Sequence, residues 1–178
     1  MNSQYIFTSE RLGFRNWQHA DIDPMYEISS DPKVMLHFPS TQSKQYTVDF
    51  ITKMKAQFVE NGFCYFAVEL LETNEFIGFI GICRQTYEVD FNPSIDIGWR
   101  LDQNYWYKGY ATEGAKACLT YAFTTLKLQK VVSVATKGNI PSIAVMKKIG
   151  MNRVKEFQHP LLKDFPNYQD CVLYEIEG

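Results

Sequence analysis

The chain has 178 residues, one domain's worth, and its 46% hydrophobic and 21% charged residues suffice for a buried core while excluding a disordered, collagen-like or coiled-coil chain. With 18 Lys and Arg against 20 Asp and Glu, the net charge of -2 gives no footprint for nucleic acid or an anionic membrane, so an anionic ligand needs a local site. No apolar run approaches the ~18–20 residues that span a bilayer, and the start MNSQYIFTSERLGF lacks a basic then apolar leader, which points to a cytoplasmic protein.

Arg11 to Asn16 reads as a first strand, after which Asp21 caps a helix running to Ser30 that Asp31-Pro32 breaks. Ser40 to Ser43 offer caps for a second helix, in which Val48, Ile51, Met54, Lys55 and Phe58 trace one stripe before Asn61-Gly62 ends it. Tyr65–Leu71, Phe76–Arg84 and Ser94–Leu101 are β-rich runs, the first two joined by the turn Glu72-Thr73-Asn74-Glu75. Ala115, Cys118, Leu119, Ala122, Phe123 and Leu126 recur at helical spacing and predict an amphipathic helix over 112–126. A Val-rich strand, Lys130–Thr136, leads to a short helix opened by Pro141 and ended by Gly150, and Met151–Phe157 and Asp170–Glu177 supply two last strands. This order predicts a single α/β domain over 1–178, with helices packed on a mixed sheet of about seven strands.

Cys64, Cys83, Cys118 and Cys171 stand far apart without a Cys-x-x-Cys pair, and His19, His37 and His159 are equally scattered. The spacing predicts reduced, buried thiols and no metal.

Chemistry concentrates between Asp96-Ile97-Gly98-Trp99-Arg100-Leu101 and Trp106-Tyr107-Lys108-Gly109-Tyr110-Ala111-Thr112-Glu113. A strand there feeds a helix through a small-residue turn, presenting free N–H groups and the positive end of the helix dipole to a phosphate. Lys108 either adds a charge or points into water. The turn is neither a Walker A loop nor a G-x-G-x-x-G fingerprint, and no Ser or Thr for Mg²⁺ follows Lys108-Gly109, which argues against a nucleotide binder. A second block, Asn139-Ile140-Pro141-Ser142 through Gly150-Met151, follows the next strand directly.

Together with Asp-Ile-Gly-Trp and Trp-x-Lys-Gly-Tyr-Ala-Thr-Glu, this block resembles the GNAT acyl-CoA N-acyltransferases, and within them the branch that includes ribosomal-protein N-terminal (alanine/serine) acetyltransferases. The resemblance runs from Thr-Ser-Glu-Arg-Leu to Leu173-Tyr174-Glu175-Ile176. It departs where Trp106 replaces a Gln or Arg and where Tyr107 replaces a frequent Gly. It implies four helices and a central strand pair that splays to admit pantetheine, with acetyl-CoA as co-substrate and no metal. Tyr107, Lys108, Gly109, Tyr110, Ala111 and Thr112 would bind the pyrophosphate. Trp99, Arg100 and Leu101 would pair with pantetheine and polarise the thioester. Asn139 would bond the pantetheine arm and Ser142 the departing sulfur; helix capping is a second role open to the pair. Asp96 stands where relatives carry a Glu and is the candidate general base, a structural acid or an amine-orienting charge.

The implied reaction is direct attack of an amine on acetyl-CoA in a ternary complex. The acceptor is expected to be a peptide N-terminal α-amine, with an antibiotic or polyamine-like small amine as alternative and a non-catalytic acyl-CoA sensor as a second. Acceptor specificity is expected from Met35–Pro39, the loop Tyr87–Pro93, His159-Pro160 and the loop to Tyr168, with Tyr174 on the last strand; a homodimer follows from resemblance alone.

Overall fold

The computed structural model describes residues 4–178. Eight strands form one sheet in the order β1-β2-β3-β4-β5-β6-β8-β7. They are β1 (Phe7–Thr8), β2 (Leu12–Arg15), β3 (Tyr65–Leu70), β4 (Phe76–Gln85), β5 (Ser94–Leu101), β6 (Lys130–Thr136), β7 (Asn152–Gln158) and β8 (Asp170–Glu177). All neighbours are antiparallel except the central pair β5–β6. The strand beyond the expected seven is the two-residue β1, where Phe7 pairs with Phe14 and stacks on its ring at 4.4 Å.

Five helices cover the sheet: α1 (Ile22–Ser30), α2 (Lys44–Asn61), α3 (Tyr110–Thr120), α4 (Ile140–Lys148) and the four-residue α5 (Pro166–Gln169), one more than expected. The Ser43 hydroxyl accepts from the Tyr46 amide at 3.1 Å to start α2, and Gly62 ends it at φ 78°. The buried stripe of α2 is Thr47, Ile51 and Met54, whereas Lys55 is exposed, so the expected stripe is offset at that position. The helix expected over 112–126 starts at Tyr110 and stays α-helical only to Thr120. It then widens over Tyr121–Thr125, where the Leu126 amide bonds the Tyr121 carbonyl and the Thr124 hydroxyl bonds the Thr120 carbonyl.

Asp21 does not cap α1. It is the last residue of a short helical turn, His19–Asp21, that runs into α1, and its carboxylate takes both Nη atoms of buried Arg15 at 2.8 Å while Glu69 takes Nε at 2.6 Å. This ionic triad ties β2, β3 and the start of α1 together.

Strand alternation divides the helices between two faces. Leu12, Phe14 and Ile80 face α3, where a Cβ on Gly114 would meet Ile80 Cδ1 at 2.4 Å. On the opposite face Tyr65 and Phe79 lie within 5.2 Å of one another and Phe50 of α2 lies 5.2 Å from Phe79. Arg100 of β5 reaches Ser29 of α1 from that same face.

Candidate active site

The parallel pair opens almost at once. β5 keeps register with β4 along its whole length, and β6 with β8 likewise, yet β5 and β6 share only Asp96↔Val132. Beyond that point Ser133 Oγ donates to the Ile97 carbonyl at 2.9 Å, a side-chain pin at the apex of a widening gap. Because the Asp102 amide donates to Ile77 O on the β4 side at 3.0 Å, alternation turns the Gly98 and Arg100 backbone toward β4 and that of Trp99 and Leu101 toward the gap. The Leu101 carbonyl is taken by Trp106 Nε1 at 2.9 Å. The Trp99 amide and carbonyl and the Leu101 amide are left facing the gap, where an extended ligand with its own amide groups would satisfy them. Arg100 contributes its side chain, on the α1 and α2 face.

At the wide end of the gap the chain turns into α3. Tyr107 at φ 60° and Gly109 at φ 85° bracket Lys108 in left-handed conformations, and Tyr107 is 96% exposed, so its side chain is no part of the core. No side chain caps α3, which leaves the amides of Tyr110, Ala111 and Thr112 free for an anion. The turn is braced from the N-terminal segment. Arg11 Nη1 donates to the Lys108 carbonyl at 3.1 Å, its Nε to Glu113 at 2.7 Å, and its guanidinium lies 4.4 Å from the Tyr110 ring centre. Ser9 Oγ and the Arg11 amide donate to the other Glu113 oxygen at 2.7 and 2.8 Å. These contacts hold the Glu113 carboxyl below its usual range, even though its partial burial pushes the other way.

Across the gap, Asn139 caps α4, its Oδ1 accepting from the Ser142 amide at 3.2 Å. The capping role is therefore realised. The Ser142 hydroxyl donates to no protein group among the described residues, so it is available to a ligand.

Asp96 lies on the α2 face beside the apex. Its Oδ1 accepts from Tyr65 Oη at 2.6 Å and from Gln85 Nε2 at 3.2 Å, while Oδ2 has no protein partner among the described residues. Burial pushes the carboxyl up to about 6, against the two hydrogen bonds and the Lys53 charge. Burial also drives the Tyr65 phenol well above its usual range, so it remains a donor. Glycines let Tyr65 lie there: a Cβ on Gly81 would stand 2.6 Å from Tyr65 Cα, and one on Gly98 would stand 3.2 Å from Tyr65 Cε1. Tyr65, Gln85, Ser133 and Arg11 were not identified from sequence. The Asp-Ile-Gly-Trp glycine was the available signal for Tyr65, because a small residue two positions from an acid on one face leaves space for a large side chain, here one reaching from β3 across Gly81 of β4.

Loops flank this face. Tyr87 stacks near His159 with centroids 4.5 Å apart, and Phe91 meets Phe157 at 5.2 Å, which joins the two expected specificity loops. An open cleft of about 570 Å³ lies at the start of β5 and β6, lined by Arg84, Phe91, Ser94, Ile95, Lys130 and Glu175. It sits at the strand end away from the Gly109 turn. Of the expected specificity segment 35–39, Met35 is buried and Leu36 and Phe38 are exposed; Tyr174 is buried in the core. No group of His, Cys, Asp or Glu among the described residues forms a metal cluster, and all four cysteines are buried free thiols.

Comparison with known proteins gives this geometry its family. Residues 11–152 match the acetyltransferase (GNAT) domain model. An uncharacterized N-acetyltransferase of Bacillus subtilis, YnaD, is 35% identical over 147 residues, 82% of either chain. A GNAT-family acetyltransferase structure from Bacillus anthracis superposes with a TM-score of 0.78 at 29% identity over 96% of both chains. At 17% identity the fold alone is shared with a ribosomal L7/L12 α-N-protein acetyltransferase in complex with coenzyme A (TM-score 0.76, 97% of both chains). It is shared in the same way with a Vibrio cholerae spermidine N-acetyltransferase (TM-score 0.72, 93% of this chain and 95% of that one). A splayed β5–β6 pair, an uncapped glycine turn into α3 and a domain match over most of the chain agree, and this chain belongs to the GNAT acetyltransferase family.

Proposed function

We propose that this protein transfers an acetyl group from acetyl-CoA to a primary α-amine, such as a peptide N-terminus, by direct attack within a ternary complex. The observation that carries the reading is the alignment of three features along one gap: unpaired backbone groups at Trp99 and Leu101, free amides at Gly109–Thr112, and a carboxylate with one open oxygen at Asp96. Acetyl-CoA supplies the activated acetyl group. The α3 amides, with Lys108, would hold its pyrophosphate, and the Trp99 and Leu101 backbone and Asn139 its pantetheine arm. The Trp99 amide, which faces the gap, would donate to the acetyl carbonyl as negative charge develops there. Asp96 Oδ2 accepts the amine's proton, directly or through one water, and the Ser142 hydroxyl hydrogen-bonds the departing sulfur.

A base of pKa about 6 is ionised at neutral pH but weak. It suits an α-amine of pKa ~7.8, roughly one-seventh neutral at pH 7, better than a lysine of pKa ~10.4, less than about 0.1% neutral. Lys53 near Asp96 and Arg100 further along β5 disfavour a polycation such as spermidine on this face. Thiol release from acetyl-CoA, followed with Ala- and Ser-initiated peptides, an N-terminally blocked lysine peptide and spermidine, tests the reading. The α-amine peptides are expected to turn over fastest; faster turnover of the blocked lysine peptide or of spermidine would contradict it.

A further inference from the structure

Four residues beyond Asp96, on the same face of β5, the chain leaves a cation uncompensated. Arg100 Nη1 donates to Ser29 Oγ at 3.2 Å, while its Nε is buried with no hydrogen-bond partner. Among the described residues no carboxylate lies at ion-pair distance from it. Its guanidinium carbon instead stands 4.7 Å from the Phe38 ring centre and 5.5 Å from that of Phe79. Burial lowers its pKa, as expected for a charge removed from water without a counter-charge. Arg15 shows how this chain treats a structural arginine: Asp21 and Glu69 neutralise it with charge-assisted hydrogen bonds. Arg100 receives none of this, although an unpaired buried charge is costly. The Phe38 ring that Arg100 meets is itself 39% exposed, so the guanidinium lies one side chain from solvent.

We infer that Arg100 is the anion-recognition residue of the acceptor site, and that the acceptor carries a carboxylate close to its reacting amine. The inference rests on the acetyl-transfer reading and names its substrate class. The guanidinium fork matches a carboxylate, and the Phe38 and Phe79 rings shield the pair from water. Adjacent Trp99 presents its backbone to the gap, so an amine directed at the acetyl group there brings a neighbouring carboxylate toward Arg100. Two sources share this chemistry: the α-carboxylate of a free amino acid, and an acidic side chain next to a peptide N-terminus.

Two matched pairs separate them: L-phenylalanine against L-phenylalaninamide, and the C-terminally amidated peptides Ser-Glu-Ala against Ser-Gln-Ala. The carboxylate-bearing member is expected to show at least tenfold higher kcat/KM in one pair, which identifies the source. Arg100→Met is expected to bring that ratio near one, and Arg100→Lys to restore part of it, because a single ammonium keeps the charge and loses the fork. Equal kcat/KM within both pairs for the parent protein, or a ratio unchanged in Arg100→Met, would overturn the inference. Calorimetry with 3-phenylpropionate and 3-phenylpropanol in the presence of coenzyme A needs no turnover. Selective binding of the acid supports Arg100 even if acetyl transfer itself fails, and equal or absent binding of both counts against it.

Discussion

At Asp96 the chemistry depends on one oxygen left open while its twin is held by Tyr65 and Gln85. Two bonds to Oδ1 orient the carboxylate without saturating it, and burial raises its pKa to about 6. The base is ionised only above that value, so kcat/KM is expected to fall as pH drops through about 6, the limb that reports this group in the free enzyme. Asp96→Asn is expected to lower kcat by about 10²–10⁴-fold and to leave acetyl-CoA binding in place. Stability gives an independent check. The folded-state pKa is raised from 3.8 to about 6, so the ionised form opposes folding and stability declines as pH rises across that window. Asp96→Asn is therefore expected to melt higher than the parent at pH 7.5 and level with it near pH 3.5. A variant that keeps full kcat would assign Asp96 to structure. The acid at this position was legible in the sequence; the shift was not, because it comes from burial in the assembled sheet, against the hydrogen bonds of Tyr65 and Gln85, 31 and 11 residues away.

The glycine turn and α3 work as one element because the N-terminal segment braces them. Helix geometry supplies free amides, but Tyr107 and Gly109 at positive φ need an external hold, which Arg11 provides through the Lys108 carbonyl and Glu113. Arg11→Ala removes that hold and leaves the α3 amides intact. Its expected effect is about tenfold weaker acetyl-CoA binding, of the order of one charged hydrogen bond, with kcat nearly unchanged at saturating acetyl-CoA. Calorimetry and steady-state kinetics read the two terms separately, and an unchanged Kd would show that the turn holds its shape alone. The turn was visible in Lys108-Gly109-Tyr110-Ala111; its brace was hidden because Arg11 and Glu113 are 102 residues apart. The same limit explains α3 itself. Helical spacing marked its buried face, while the widening after Thr120 follows from Thr124 bonding back to Thr120, which a hydrophobic pattern does not register.

Across the whole molecule, element order and the two diagnostic blocks were readable because helix caps, glycine stops and alternation are local signals. Ser43, Gly62 and Gly150 act where the sequence placed them. Asp21 misled for the opposite reason: a capping residue by type, it is drawn into the ionic triad with Arg15 and Glu69, and tertiary pairing outweighs local preference. The gap between β5 and β6 is likewise a property of the assembled sheet, held at its apex by Ser133 and bordered by β5, β6, α3 and α4 together. This gap and the Gly109 turn together form the proposed acetyl-CoA site. Calorimetric titration of acetyl-CoA into the parent protein and into Gly109→Glu, whose carboxylate would crowd and repel the pyrophosphate, tests it most directly. Saturable one-to-one binding by the parent and at least tenfold weaker binding by the folded variant are expected. No saturable binding by the folded parent, or equal binding by both, would contradict it.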